Sequence, residues 1–202
     1  MTMDEVLLLR ERVRPFLDEN RYRHTLGVEK EIRLLAKLYM PEREEELAAA
    51  ALLHDITKKM PIQEQIELCR RYGDYEEVAT PQLLHAQSAI PFITSHFSEF
   101  ATPLILQAVK RHTTGDVGME VADMLLYLAD FTEEGRTYKD CVSLRQMLHD
   151  GLSSDSCDRM ALLHRVLLRA YDLSIGELVE EKRPISVKTI AARNDLLQKM
   201  KK

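Results

Sequence analysis

The chain has 202 residues, 45% hydrophobic and 30% charged, with a formal net charge of −5; that suits one sizeable core, and its interspersed charges form no broad basic patch for nucleic acid. No apolar run reaches the ~20 residues of a membrane span, and the first residues lack the apolar core of a signal peptide. Cys69, Cys141 and Cys157 form no C-x-x-C pair, so disulfide scaffolding and structural zinc are disfavoured and a cytoplasmic globular protein is expected.

Seven Gly, seven Pro and no Trp beside abundant Leu, Ala, Glu and Arg favour helix. Apolar residues at i, i+3, i+4, i+7 spacing predict amphipathic helices over 3–19, 21–39 and 42–57, with Pro41 dividing the last two. Thr80-Pro81 and Thr102-Pro103 read as N-caps with proline at the first helical position, opening helices over 81–96 and 103–113. After Gly115 and Gly118, residues 119–130 form the most apolar helix. Helices follow over 138–149, stopped by Gly151, and over 156–172. Gly176 to Pro184 reads as a polar connection, and 187–199 as a last helix. The expected fold is an all-α, single-domain helical bundle.

Chemistry concentrates at the helix ends. The run Ala48-Ala-Ala-Ala-Leu-Leu-His-Asp-Ile-Thr-Lys58 sets an imidazole and a carboxylate at the end of an apolar helix, with Lys58 three residues on. Such groups need something that offsets their desolvation, and a metal ion is a common solution. His24, His85, His112 and Asp130 also sit near the ends of apolar helices. Helix ends of this kind can converge on one cleft of a bundle. A donor set of imidazoles and carboxylates without thiolates suits iron, manganese, zinc or nickel, and does not choose among them.

The order His24, His54-Asp55, His85, His112, Asp130 resembles the HD-domain metal-dependent phosphohydrolases. The segments Arg-His-Thr-Leu-Gly-Val, Leu-Leu-His-Asp-Ile-Thr-Lys, Arg-His-Thr-Thr-Gly and Tyr-Leu-Ala-Asp-Phe-Thr-Glu-Glu-Gly-Arg are similar to those of the YqeK-type symmetrical diadenosine tetraphosphate hydrolases. So is Pro184-Ile-Ser-Val-Lys-Thr-Ile-Ala-Ala-Arg-Asn194, and the likeness runs from about residue 20 to 195. The resemblance implies a single HD domain over 1–202, with its core at about 20–150 and C-terminal helices over 156–199. It implies metal ligands at His24, His54, Asp55 and Asp130, with iron as the ion, one in number or two.

Asp55, Lys58, His85 and His112 would be catalytic. Substrate contacts would come from His24, Gly27, Lys58, His85, His112, Thr113, Asp130, Arg136, Ile185 and Thr189. Lys58 and Arg136 would grip phosphate oxygens; as plain helix-end cations they would serve only the helix dipole. The implied reaction splits a dinucleoside tetraphosphate at its central bridge into two nucleoside diphosphates. The partner is thus a small dinucleoside polyphosphate or nucleotide, without nucleic acid or membrane, in a monomer or homodimer.

Three departures from the family pattern bear on the nucleotide end: Ala89 for glycine, Glu134 for proline, and Ser186-Val187-Lys188 for His-Pro-Asp. The rival readings are an HD-type monophosphatase or phosphodiesterase, and a nucleotide-binding module with little catalysis. A second His-Asp pair, His149-Asp150, is expected to be structural, serving the helix dipole. His96 and His164 are expected to be partly exposed, Asp123 to pair with a base, Glu42 to Glu46 to be a solvated first turn, and the nine methionines to fill the core.

Overall fold

The computed structural model of the chain describes residues 1–73, 75–154 and 158–201. Ten α-helices and no strand run through these residues: α1 (Met3–Val13), α2 (Glu19–Tyr39), α3 (Glu44–Leu53), α4 (Ile62–Arg71), α5 (Leu84–His96), α6 (Pro103–Arg111), α7 (Val121–Thr132), α8 (Lys139–Leu152), α9 (Arg159–Glu180) and α10 (Val187–Lys199). The all-α expectation holds.

Helix α3 organises the rest. Leu47 to Leu53 are all fully buried, as expected of a helix that is apolar all round. It packs against α1, α2, α6 and α7, and its four alanines allow those neighbours to approach closely. One continuous apolar cluster runs from Val6 in α1 to Leu196 in α10. Because α3 is covered on every side, its C-terminal end, where His54 and Asp55 stand, is enclosed by the ends of the surrounding helices.

Several boundaries differ from the predicted ones for identifiable reasons. The predicted 3–19 helix stops at Val13, where Pro15 directs a short 3-10 turn; Asp18 then caps α2 by accepting from the Arg21 N–H. Helix α4 was not predicted, although Ile62, Ile66 and Cys69 carry helical spacing over its ten residues. Gly151 does not end α8. A Cβ there would lie 2.5 Å from Leu162 Cδ1, so the glycine permits close packing of α8 on α9. The Gly176 to Pro184 connection is largely helical, because α9 continues to Glu180. The predicted start of that helix at 156, like Cys157, lies outside the described residues, and α9 begins after its cap Asp158.

Thr102 caps α6 as expected, whereas Thr80 makes no capping bond and Pro81 opens a 3-10 turn ahead of α5. Of the nine methionines only Met119 and Met124 are buried, so core filling is not their general role. No helix among the described residues is long and apolar enough to cross a membrane.

The alanines of α3 leave no spare volume. Ala50→Leu is expected to overpack this helix and cost about 1–3 kcal/mol, read as a fall of several degrees in Tm with an unchanged helical circular-dichroism spectrum.

Candidate metal centre

Five helix ends meet around the carboxylate of Asp55. His24 projects from the first turns of α2, His54 caps α3, Asp55 opens the turn after it, His85 lies in the first turn of α5, His112 caps α6 and Asp130 closes α7. Asp55 Oδ1 lies 3.0 Å from His85 Nε2 and 3.7 Å from His112 Nε2. Its Oδ2 lies 3.3 Å from His54 Nε2 and 4.0 Å from His24 Nε2. All six residues named from the sequence therefore share one site.

The four imidazoles are oriented by a common device. Nδ1–H donates to a backbone carbonyl three residues earlier in His54 (Ala51 O, 2.6 Å), His85 (Gln82 O, 2.7 Å) and His112 (Val109 O, 2.7 Å). In His24 it donates to Glu133 Oε1 at 3.1 Å. Each bond selects the tautomer whose Nε2 lone pair faces the centre, as anchoring of metal-ligating histidines does. His54 Nε2 is buried and has no hydrogen-bond partner among the described residues. His24 Nε2 also lacks one: Asp130 Oδ1 is 3.0 Å away but off hydrogen-bond alignment. Buried polar atoms without partners are costly, and a cation at their focus removes that cost. The donor set thus fits a divalent metal.

Two overlapping donor groups have all their ligand atoms within 4.8 Å of one another: His24, His54 and Asp130, and His54, Asp55 and His112. The second brings His112 into ligand range.

Burial pushes the Asp55 carboxyl up, but the surrounding imidazoles outweigh it and hold it well below the usual carboxylate range. Asp130 is likewise held low against burial, chiefly by Arg136. Burial pushes the His24 imidazole down, yet Asp130 and Glu133 outweigh this and raise it to about 9. His112, wholly enclosed, is pushed down to about 4 by burial.

Cations ring the carboxylates. Arg21 Nη1 donates to Asp55 Oδ2 at 2.7 Å. Arg136 donates through Nη2 to Asp130 Oδ1 at 2.6 Å and through Nε to the Asp130 carbonyl at 2.7 Å. Lys58 Nζ is 3.2 Å from His85 Nε2, and burial lowers its pKa.

Two participants escaped the sequence reading. Arg21 carries no signal beyond its place three residues before His24. Glu133 lies within the Phe-Thr-Glu-Glu-Gly-Arg segment, where the glycines around it were the available clue. A Cβ on Gly27 would come 2.3 Å from Glu133 Oε2, and Gly135 N–H donates to that same oxygen at 2.6 Å. Gly27 therefore stands against the carboxylate that holds His24.

Thr113 and Ile185 line a cleft of about 620 Å³ beside His112, together with Lys110 and Lys188. Thr189 is buried in the first turn of α10. His149 stands apart from the site, in the last turn of α8 as expected, and donates through Nε2 to Glu31 Oε1 at 2.8 Å, which also ties α8 to α2. Asp123 pairs with Arg111 at 2.7 Å, as expected. His96 is exposed and His164 half-buried. Glu44 and Glu45 are engaged by Arg33, so the acidic run is more than a solvated turn.

A match to the HD domain family covers residues 21–144. The chain belongs to the HD-domain family, and its site is that of a metal-dependent phosphohydrolase. It is 27% identical over 191 residues to the symmetrical bis(5′-nucleosyl)-tetraphosphatase of Halalkalibacterium halodurans, covering 94% of this chain and 95% of that one. A protein of the same description from Staphylococcus aureus is 28% identical over 69% of this chain and 72% of its own. The crystal structure of an HD superfamily hydrolase from Clostridium acetobutylicum, described as involved in NAD metabolism, superposes with a TM-score of 0.82 at 27% identity over 98% of each chain.

Asp130 and Glu133 hold the His24 imidazole up, to about 9, so an ion bound there displaces a proton at lower pH. Affinity for a divalent ion is expected to rise about tenfold per unit from pH 6 to 8, measured by competition with a chelator of known pH dependence. Glu133→Gln is expected to weaken metal binding by roughly 10–100-fold and to flatten that pH dependence, since the His24 proton loses one of its two carboxylates.

Proposed function

We propose that this protein hydrolyses dinucleoside tetraphosphates symmetrically, diadenosine tetraphosphate giving two ADP, with residues 1–202 acting as one domain. The observation that carries the reading is the set of Nε2 atoms and carboxylates around Asp55, in a chain whose relative of nearly the same length is named a symmetrical tetraphosphatase. His24, His54, Asp55 and Asp130 hold the ion, which the resemblance makes iron. A divalent ion there supplies Lewis acidity, making water nucleophilic near neutral pH and neutralising charge on the phosphoryl oxygens.

The residues of the chain do the remaining work. Arg136, braced by its two bonds to Asp130, presents a rigid guanidinium beside the ligands and takes up oxygens of the polyphosphate. Lys58, half-buried, adds a cation on the His85 side. His85 Nε2 and His112 Nε2 stand 3.1 Å apart, and each ring already donates through Nδ1. Two facing lone pairs at that distance need a proton or a cation between them. In this reading Lys58 Nζ, 3.2 Å from His85 Nε2, supplies the positive charge on this side, and the pair faces the phosphates. Thr113 and Ile185 border the cleft that takes one nucleoside, covered by the segment before α10.

Purified protein supplied with ferrous iron and diadenosine tetraphosphate is expected to yield ADP alone, followed by chromatography. ATP plus AMP would exclude the symmetric cut, and release of inorganic phosphate from mononucleotides with no action on the dinucleotide would favour the monophosphatase reading. His54→Ala and Asp130→Ala are expected to lose bound metal and turnover together, and His112→Ala to lower kcat by about 10²–10⁴-fold.

A further inference from the structure

Two clefts adjoin the metal centre, and the reaction above employs only one. The first is lined by Thr113, the residue after His112. The second, about 610 Å³, reaches the site at Arg136, next to Asp130. A molecule with a nucleoside at each end of a phosphate chain has two heads to place.

The second cleft suits an uncharged ring system and disfavours phosphate. Tyr138, at its rim, is 73% exposed, an unusually open aromatic face. Beyond the Arg136 junction, Asp140, Asp172, Glu177 and Glu180 line the walls against one lysine, Lys139, and Arg193 engages Asp172 at 2.5 Å. Like-charge repulsion keeps phosphates from such walls, whereas the N–H and O–H groups of a base and a ribose find acceptors there. Gly176 adds an independent observation. It lies inside α9, where glycine weakens a helix relative to alanine. Its φ is not left-handed, and no atom of the described residues lies within 4 Å of where its Cβ would stand. No close contact explains this glycine, but the lack of a side chain keeps the cleft open.

We propose that the Tyr138 cleft binds the second nucleoside of the dinucleoside polyphosphate, with its base stacked on Tyr138, its polar edges on the carboxylates, and Arg136 holding the phosphate chain at the junction. The assignment rests on the reaction proposed above. It makes this cleft the element that distinguishes a two-headed substrate from a nucleoside polyphosphate with the same number of phosphates.

The test compares diadenosine tetraphosphate with adenosine 5′-tetraphosphate on the iron-loaded full chain. The ratio of their kcat/KM values is measured in the wild type, in Tyr138→Ala, and in Gly176→Leu, which fills the cleft from the helix side. Stacking of one base on an aromatic ring predicts a fall of that ratio by roughly five- to a hundredfold in Tyr138→Ala, and a similar fall in Gly176→Leu. An unchanged ratio, or equal losses on both compounds, in variants with wild-type Tm would overturn the assignment. If the wild type turns over neither compound, the reaction itself is wrong. Calorimetric Kd values for the two compounds then read the cleft directly: a selective loss of two-headed binding in the variants supports it, and parallel Kd values in wild type and variants overturn it.

Discussion

A single buried carboxylate sets the terms for the whole site. Asp55 is 3% exposed and stands just past the C-terminus of α3, where the helix dipole disfavours negative charge. Left alone, such a group would protonate or unfold its surroundings. Instead four imidazole Nε2 atoms lie within 4.0 Å and Arg21 donates directly to it. The imidazoles, however, are tied through Nδ1 in the tautomer that offers lone pairs. Lone pairs on both sides of a carboxylate are stable only around positive charge, so protons or a metal ion complete the cluster. The fold therefore builds a standing requirement for a cation at its most enclosed helix end.

The anchoring of those imidazoles follows from helix geometry. A helix ends with carbonyls that lack intrahelical donors, and His54 and His112 sit where they reach back to such carbonyls, Ala51 and Val109. The same i to i−3 bond therefore satisfies an orphan backbone group and aims a ligand. His24 is different. It lies early in α2, where exposed groups are N–H donors, so its Nδ1 needs a side-chain acceptor, and Glu133 crosses from the end of α7 to supply it. The close approach of Glu133 to α2 is possible only because residue 27 is glycine.

The same distinction explains how much was legible in the sequence. Helices long enough to show a full apolar face, such as α2, α7 and α10, were readable from spacing. So were His54, Asp55 and Asp130, because charge at the end of an apolar run stands out locally. Features that depend on two distant segments were not. Gly151 looks like a helix stop until Leu162 is placed against it, and Glu133 looks like part of an acidic loop until His24 is placed above it. Arg21 reads as one of many arginines because its meaning lies in Asp55, thirty-four residues away. Helix α4 was lost because ten residues beginning at a proline give a periodic signal too short to stand out.

Charge distribution reconciles an acidic chain with the highly anionic substrate proposed for it. The cations near the site are held in place before any phosphate arrives: Arg21 by Asp55, Arg136 by Asp130, and Lys110 and Lys188 both by Glu76 at the mouth of the first cleft. Holding them fixed avoids the conformational entropy that long basic side chains otherwise lose on binding. It also leaves the two sets with different duties. Asp55 and Asp130 are ligand candidates, so Arg21 and Arg136 keep their carboxylate bonds while offering remaining N–H groups. Glu76 carries no such role and holds Lys110 and Lys188 at the cleft mouth. Net charge is thus a poor guide to the field at this site, which is set by the carboxylates that face the centre and the cations they hold.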